Sequence, residues 1–166
     1  MSKFQMRDLL GMGQSIALVA PSAGWLMASA DGSAAGLIID PADEGLRAPC
    51  DGVVTRVDRD PLGLVLILAN GAELRLMSGV ALRGRGKGGA ELHVAAGQWV
   101  WTGDPLMSFG TDACARTVQN RLISMTVRGG GRGATFQMPS LVAGRPVACG
   151  ETLARVRLVS AGQSGR

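Results

Sequence analysis

Turn-forming residues interrupt this chain so often that no long regular element can form. Glycine accounts for 25 of the 166 residues, and a glycine or proline follows nearly every short apolar run. Breakers recur at intervals of roughly ten residues, a spacing typical of the strands of an all-β sandwich or barrel. The apolar segments lie at residues 16–20, 36–39, 53–57, 64–68, 73–77, 100, 106–109, 122–127 and 153–159.

Local patterns predict the strand type and one hairpin. Arginine alternates with aliphatic residues over 154–159, which predicts a strand with one face in the core. Asn70-Gly71 lies between two apolar runs and is a strong hairpin signal, so we predict an antiparallel pair around it. The only plausible helical segment is the polar stretch from Asp112 to Gln119, which has no breaker, and there we expect one or two helical turns.

Two segments of the chain are repeated. The sequence A-P-x-x-G occurs at residues 20–24 and again at 48–52, and the longer pattern A-G-x-x-V-x-x-G-[DE]-x-L occurs at 96–106 and at 143–153. A glycine at a fixed place in such a pattern favours a tight turn. We therefore predict that the second glycines of the longer pattern occupy equivalent backbone positions. These glycines are Gly103 and Gly150.

The composition excludes several kinds of site. A chain of 166 residues with 46% hydrophobic content is long enough for one packed domain, which we assign to residues 1–166. A single histidine excludes zinc centres that need two imidazoles. The three cysteines are far apart and form no C-x-x-C pair, which excludes a zinc knuckle or a redox dithiol. We expect neither a metal ion nor a cofactor.

Charge and hydropathy bear on the partners and the compartment. The net charge of +4 permits anionic partners without requiring them. No stretch reaches the roughly 18 apolar residues of a membrane span. The apolar run at residues 16–20 is shorter than the apolar region of a signal peptide and is followed by Pro21. We therefore expect a cytoplasmic protein.

The order of the motifs resembles a known family over residues 17–159. Its members are the glucose-type enzyme IIA domains of the bacterial phosphotransferase system for sugar transport. The resemblance implies an antiparallel β sandwich or barrel of the duplicated hybrid motif type, with short tails outside it. It also implies phosphoryl transfer, in which a histidine takes phosphate from the phosphocarrier protein HPr and passes it to the IIB domain of a sugar permease. The motifs are A-P-x-x-G at 20–24, G-L-I-I-D-P at 36–41, A-P-C-D-G at 48–52, N-G-A-E-L at 70–74, Gly79, and V-A-A-G-Q-W-V-W-T-G-D-P-L at 94–106.

Both catalytic histidines of that family are missing. Counting from Asp51-Gly52 and from Asn70-Gly71 places the first histidine at Leu62, and the E-x-x-x-H-x-G register places the phosphate acceptor at Met77. Leucine has no lone pair to offer and a thioether cannot be phosphorylated. The segment between Gly24 and Gly36 is also shorter than is usual in the family. By resemblance, the binding face comprises Asp60, Leu62, Met77, Gly79, Trp99 and Trp101.

The register also predicts how the two replaced positions lie. A hairpin turning at Asn70-Gly71 pairs residues whose numbers sum to about 141. We therefore expect Leu62 and Met77 to be neighbours on adjacent strands, lining one apolar depression that offers no nucleophile.

Other polar groups allow alternative chemistry. His93, the single imidazole, lies on a strand where the family has no catalytic group, and we interpret it as structural. Asp58 and Asp60 form a small acidic cluster, and a carboxylate can accept phosphate, although a solvated turn explains them as well. Trp99 and Trp101 alternate around Val100, so they should share a face; core packing and an exposed interaction patch both fit.

Two glycine–arginine stretches, at residues 83–89 and 128–133, have the composition of flexible loops whose guanidinium groups could hold an anion. Neither is a phosphate-binding loop of the Walker type, because no serine or threonine follows Lys87. The candidate anion contacts are Arg83, Arg85, Lys87, Arg128 and Arg132.

The leading hypothesis is a histidine-less enzyme IIA-like protein that regulates or binds a protein partner and does not carry phosphate. The resemblance points to an HPr-like or permease-like partner, and we expect a monomer or a weak homo-oligomer. A working IIA component with an atypical phosphate acceptor is the alternative. An anion or nucleic-acid binder that uses the glycine–arginine loops is the second alternative.

Overall fold

The computed structural model describes residues 15–27, 36–59, 62–78, 90–109, 122–129, 133–137 and 144–159. Within these residues every regular element is a β-strand and every pairing is antiparallel, which confirms the predicted fold class. The strands are β1 (Ile16–Val19), β2 (Gly24–Met27), β3 (Gly36–Pro41), β4 (Gly45–Arg47), β5 (Gly52–Arg59), β6 (Leu62–Ile67), β7 (Glu73–Ser78), β8 (Ala90–Leu92), β9 (Trp99–Val100), β10 (Pro105–Phe109), β11 (Ile123–Arg128), β12 (Gly133–Gln137), β13 (Arg145–Val147) and β14 (Thr152–Val159).

The sheet order reproduces the internal repeat. An eight-stranded sheet runs β13-β2-β3-β11-β7-β6-β5-β9, and two three-stranded sheets run β1-β14-β12 and β4-β10-β8. The large sheet is symmetric about its centre, because β13, β2 and β3 on one side match β9, β5 and β6 on the other. The small sheets match each other strand for strand. The two copies of each sequence pattern therefore build the two halves of a pseudo-two-fold arrangement.

The repeated glycines form equivalent turns, as the repeat predicts. Gly103 has a φ of 90° and Gly150 a φ of 85°. The Gly103 amide donates to the Ala48 carbonyl at 2.9 Å, and the Gly150 amide donates to the Ala20 carbonyl at 2.9 Å. Each copy of the longer pattern is thus hydrogen-bonded to one copy of the shorter pattern.

The two copies of the shorter pattern also bond to each other. The Val19 amide donates to the Pro49 carbonyl at 2.9 Å, and the Arg47 amide donates to the Pro21 carbonyl at 2.8 Å. The exchange is reciprocal, as pseudo-two-fold symmetry requires. These two hydrogen bonds join the first segments of the two halves across the pseudo-two-fold axis.

The core is aliphatic and rich in leucine. Burial alternates along β7 and β11, so each strand turns one row of side chains inward. Burying a leucine fully contributes about 1.5–3 kcal/mol. The large side chains with almost no exposure are Leu18, Leu26, Ile39, Leu46, Leu62, Leu64, Leu66, Leu74, Leu76, Leu106, Met107 and Ile123.

The hairpin at Asn70-Gly71 forms as predicted, but its register separates the two positions matched to the family histidines. Met77 lies directly across from Gly63, so paired residue numbers sum to 140. Because neighbouring residues of a strand point to opposite faces, Leu62 points away from the Met77 side of the sheet. Leu62 has 0% exposure and belongs to the core. Leu62 and Met77 are therefore neighbours on adjacent strands to within one residue, as predicted, but they lie on opposite faces, and the predicted apolar depression lined by both is wrong.

The expected helix from Asp112 to Gln119 lies outside the described residues. Among the residues that are described, no helix is long and apolar enough to cross a membrane.

Histidine substitutions test the opposite orientations of Leu62 and Met77. We expect Leu62→His to lower the free energy of unfolding by about 3 kcal/mol or more, because it removes a core aliphatic and buries an imidazole. Met77→His should cost less than about 1 kcal/mol, because position 77 is only half-buried. Urea denaturation of both variants measures the difference. Equal costs would show that the two side chains share one environment.

Alanine substitutions test the two turns. Gly103→Ala and Gly150→Ala should each lower the free energy of unfolding by about 1–2 kcal/mol, because both residues have a positive φ. Gly45→Ala is the control, since its φ is not in the left-handed region and its added Cβ would meet only the Met107 carbonyl at 3.5 Å. If the turn variants cost no more than the control, the positive φ values are not a constraint on this fold.

A buried thiol predicts a loss of stability at high pH. Burial, and secondarily the charge of Asp51, raises the pKa of Cys50 to about 12. The folded state therefore favours the protonated thiol, and its advantage is complete below the ordinary thiol pKa and is lost as pH rises toward 12. Cys50→Ser is the reference, since the equivalent buried residue of the other repeat is Ser22. Between pH 8 and 10.5 we expect the wild type to lose about 2 kcal/mol more than this variant in urea titrations. Parallel curves would contradict the burial of the thiol.

Candidate functional site

The exposed face of the large sheet carries the half-buried Met77. Its sulfur lies over Gly63, where an added Cβ would collide with it, and Arg75 Nε lies 3.3 Å from the same sulfur. The thioether thus fills the gap that the glycine leaves on the neighbouring strand. This position offers a soft apolar surface and no nucleophile.

A charged cluster lies beside Met77. Asp58 Oδ1 is 2.8 Å from Arg56 Nε, and Asp58 Oδ2 is 3.7 Å from Arg75 Nη2. Both guanidinium groups are partly exposed, so these pairs contribute little to stability, about 0–1 kcal/mol. Their stems flank Val65, which lies between Arg56 and Arg75 in the register and is only 7% exposed. The cluster therefore covers an otherwise apolar position and carries a net positive charge.

A row of mostly apolar side chains extends from Met77 across the sheet. In the register Met77 lies opposite Ser124, Ser124 opposite Ile38, and Ile38 opposite Met27. Met27 is exposed, and the other three are half-buried. The sequence motifs did not identify Met27 or Ile38 as members of this face. The signal was the alternation of burial in β3, where every second residue must face outward.

The two tryptophans near residue 100 lie outside the core. Trp99 is 43% exposed and Trp101 is 61% exposed, whereas Val100 between them has 0% exposure. Their ring centroids are 5.4 Å apart and the rings are inclined at 71°, an edge-to-face pair. Trp99 belongs to β9, at the edge of the large sheet, where it pairs with Val53. The structure therefore separates these indoles from Met77 by the width of β5, β6 and part of β7.

The single imidazole lies at a small sheet. His93 follows β8, and its Nε2 lies 2.6 Å from the Ser108 hydroxyl of β10. Sequence reasoning did not identify Ser108. His93 is exposed and Ser108 is half-buried, and neither is part of the large sheet that carries Met77. His93 and Met77 therefore lie at different sheets.

Several predicted site residues lie outside the described residues. Arg128 is described, and it is exposed at the end of β11, directly across from Glu73. In the part of the chain that the structure covers, no three histidine, cysteine, aspartate or glutamate side chains are grouped so that they could hold a metal ion. The residues outside the description are Asp60, Gly79, Arg83, Arg85, Lys87 and Arg132.

The fold of this chain is similar to that of solved structures, although no similarity in sequence was found. No family model and no curated protein matches the chain in sequence. Among solved structures, the glucose permease IIA from Mycoplasma capricolum superimposes with a TM-score of 0.66 at 18% identity, covering 86% of this chain and 96% of that chain. The M23 metalloprotease pseudoalterin covers 89% of this chain at 13% identity, but its TM-score of 0.43 carries no argument. The chain therefore has a fold like that of glucose permease IIA, and at this identity the likeness establishes the fold alone.

Proposed function

We propose that this protein is an enzyme IIA-like module that binds a protein partner and does not carry phosphate. The observation that carries the proposal is the chemistry at the two positions matched to the family histidines. Leu62 is completely buried and points into the core, and Met77 presents a thioether on the outer face. Phosphoryl transfer through histidine needs a nucleophilic imidazole at the surface. Neither position supplies one.

The outer face supports a binding role. The row Met27, Ile38 and Met77 is apolar and partly exposed, which is a feature of protein interaction surfaces. Methionine is suited to such surfaces because its side chain is flexible and polarisable. The neighbouring pair Arg56 and Arg75 exceeds the single carboxylate of Asp58 in charge. A partner for this face would combine apolar side chains with acidic groups.

The alternative of an atypical phosphate acceptor finds less support. Asp58 is held by two arginines, and among the described residues there is no group of carboxylates that could bind the magnesium ion that aspartyl phosphorylation uses. His93 is bonded to Ser108 in a different sheet. An acceptor at His93 would need a docking surface other than the large sheet that carries Met77.

Incubation with phosphoenolpyruvate, enzyme I and HPr tests the proposal. We expect the intact mass of this protein to remain unchanged, because no residue at the family positions can accept phosphate. A glucose-type IIA domain with both histidines serves as the positive control in the same mixture. Met77→His is the matched variant and reports whether an imidazole at this half-buried site can receive phosphate from HPr.

A stable gain of one phosphoryl group by the wild type would contradict the proposal. Repeating the assay with Asp58→Asn, Asp60→Asn and His93→Gln would then identify the acceptor. Loss of the phosphoryl group in only one of these variants would assign it to that residue.

A further inference from the structure

The internal repeat contains a second turn that can be compared with the turn at residues 101–104, next to the two tryptophans. At residues 101–104 the Trp101 amide donates to Asp104 Oδ2 at 2.9 Å, and the Asp104 amide donates to the Trp101 carbonyl at 2.9 Å. In the other repeat the Ala148 amide donates to Glu151 Oε2 at 3.0 Å, and the Glu151 amide donates to the Ala148 carbonyl at 3.1 Å. The two turns therefore have the same hydrogen-bonded backbone.

The side chains on these two equivalent turns differ. Trp99 corresponds to Pro146, and Trp101 corresponds to Ala148. Because proline and alanine hold the same turn, its backbone does not require either indole. Both indoles are nevertheless exposed to water, which gives up the free energy that burial of a large aromatic side chain supplies. A role outside folding explains why they are present.

Polar groups without partners surround the indole pair. Asp51 Oδ1 accepts both the Thr102 amide at 2.6 Å and the Thr102 hydroxyl at 2.8 Å. Within the described part of the chain, Asp51 Oδ2 accepts no hydrogen bond, and the side-chain N–H groups of Trp99, Trp101 and Gln98 donate none. The equivalent of Asp51 in the other repeat is Ala23. The turn thus combines two indole faces, two indole N–H donors, the NH2 group of Gln98 and one open carboxylate oxygen.

We propose that this corner, formed by Trp99, Trp101, Gln98 and Asp51, binds a proline-rich segment of a partner protein with a basic residue on Asp51. This inference rests on the proposed function only in taking the partner to be a protein. Proline-rich segments dock onto exposed aromatic side chains in the polyproline II conformation, which leaves their carbonyl groups free to accept hydrogen bonds. The free N–H donors match those carbonyls, and the open carboxylate complements an arginine or lysine.

The same sheet pairs an indole with a proline in its other half. Trp25 of β2 lies directly across from Pro146 of β13, and both are exposed. At the matching place, Trp99 lies across from Val53 and its outer face has no proline neighbour in the register. The strand at this edge therefore carries an indole where β13 carries a proline, and an incoming proline would meet that indole from outside the sheet.

Peptide titration followed by nuclear magnetic resonance tests the proposal. The probe is a synthetic peptide of one arginine followed by nine prolines. Control peptides replace all prolines by alanine, or the arginine by glutamate. In the ¹⁵N-labelled full-length protein we expect the probe to shift the indole N–H signals of Trp99 and Trp101 and to leave that of Trp25 unchanged. Single Trp→Phe variants assign the three signals.

Two variants separate the contribution of the indole pair from that of the Asp51 carboxylate. Trp99→Pro combined with Trp101→Ala copies the other repeat, so the protein should fold and should bind the probe at least tenfold more weakly. Asp51→Asn keeps an oxygen for Thr102 and should abolish the preference for the arginine peptide over the glutamate peptide. Trp25→Ala, on the opposite edge, should bind as the wild type does.

Three results would overturn the proposal. The first is no shift of the Trp99 and Trp101 signals at millimolar probe, and the second is equal binding of the alanine peptide. The third is a shift produced by maltohexaose but not by the probe, which would make the corner a carbohydrate site. None of these depends on phosphorylation, so the peptide assay can fail while the proposed function stands, and the phosphotransfer assay can fail while the peptide binds.

Discussion

Two alanine carbonyls join parts of this chain that are far apart in sequence. Ala20 and Ala48 begin the two copies of the short pattern, and each carbonyl accepts the amide of a turn glycine from far along the chain. The glycine must adopt a positive φ to present that amide, which L-residues with a side chain adopt at a cost. From these two contacts follow the pairing of β1 with β14 and of β4 with β10, and with them the two small sheets. The symmetric strand order of the large sheet follows from the same repeat.

A symmetric framework leaves its two halves free to carry different surfaces. The turn that carries Glu151 closes with an ion pair, in which Arg145 Nη1 lies 2.7 Å from Glu151 Oε1. Hydrogen bonds from Arg145 and from the Ala148 amide lower the pKa of Glu151. The matching turn has Gln98 and Asp104 in those places and adds two indoles. Because both turns have the same backbone hydrogen bonds, these side-chain differences change the surface with little effect on the fold.

The centre of the large sheet is built from side chains that pack on both of its faces. Packing at the inner face needs aliphatic side chains of the right volume, and Leu62 meets that need. At the outer face, Met77 covers the space above Gly63 and contacts Arg75. Both side chains are used for packing, and neither can attack a phosphoryl group. The surface that results is apolar, and the arginine pair beside it makes its border positive.

The sequence by itself determined the fold class, the hairpin at Asn70-Gly71 and the equivalence of Gly103 and Gly150, because glycine spacing and strand alternation act locally and need no knowledge of neighbours. It did not determine on which face Leu62 lies, since a register difference of one residue reverses every side chain of a strand. It also left open whether Trp99 and Trp101 pack in the core, because alternation shows that they share a face and not which face is covered. Only the tertiary structure decided these points, since burial depends on which strands the two distant glycine turns bring together.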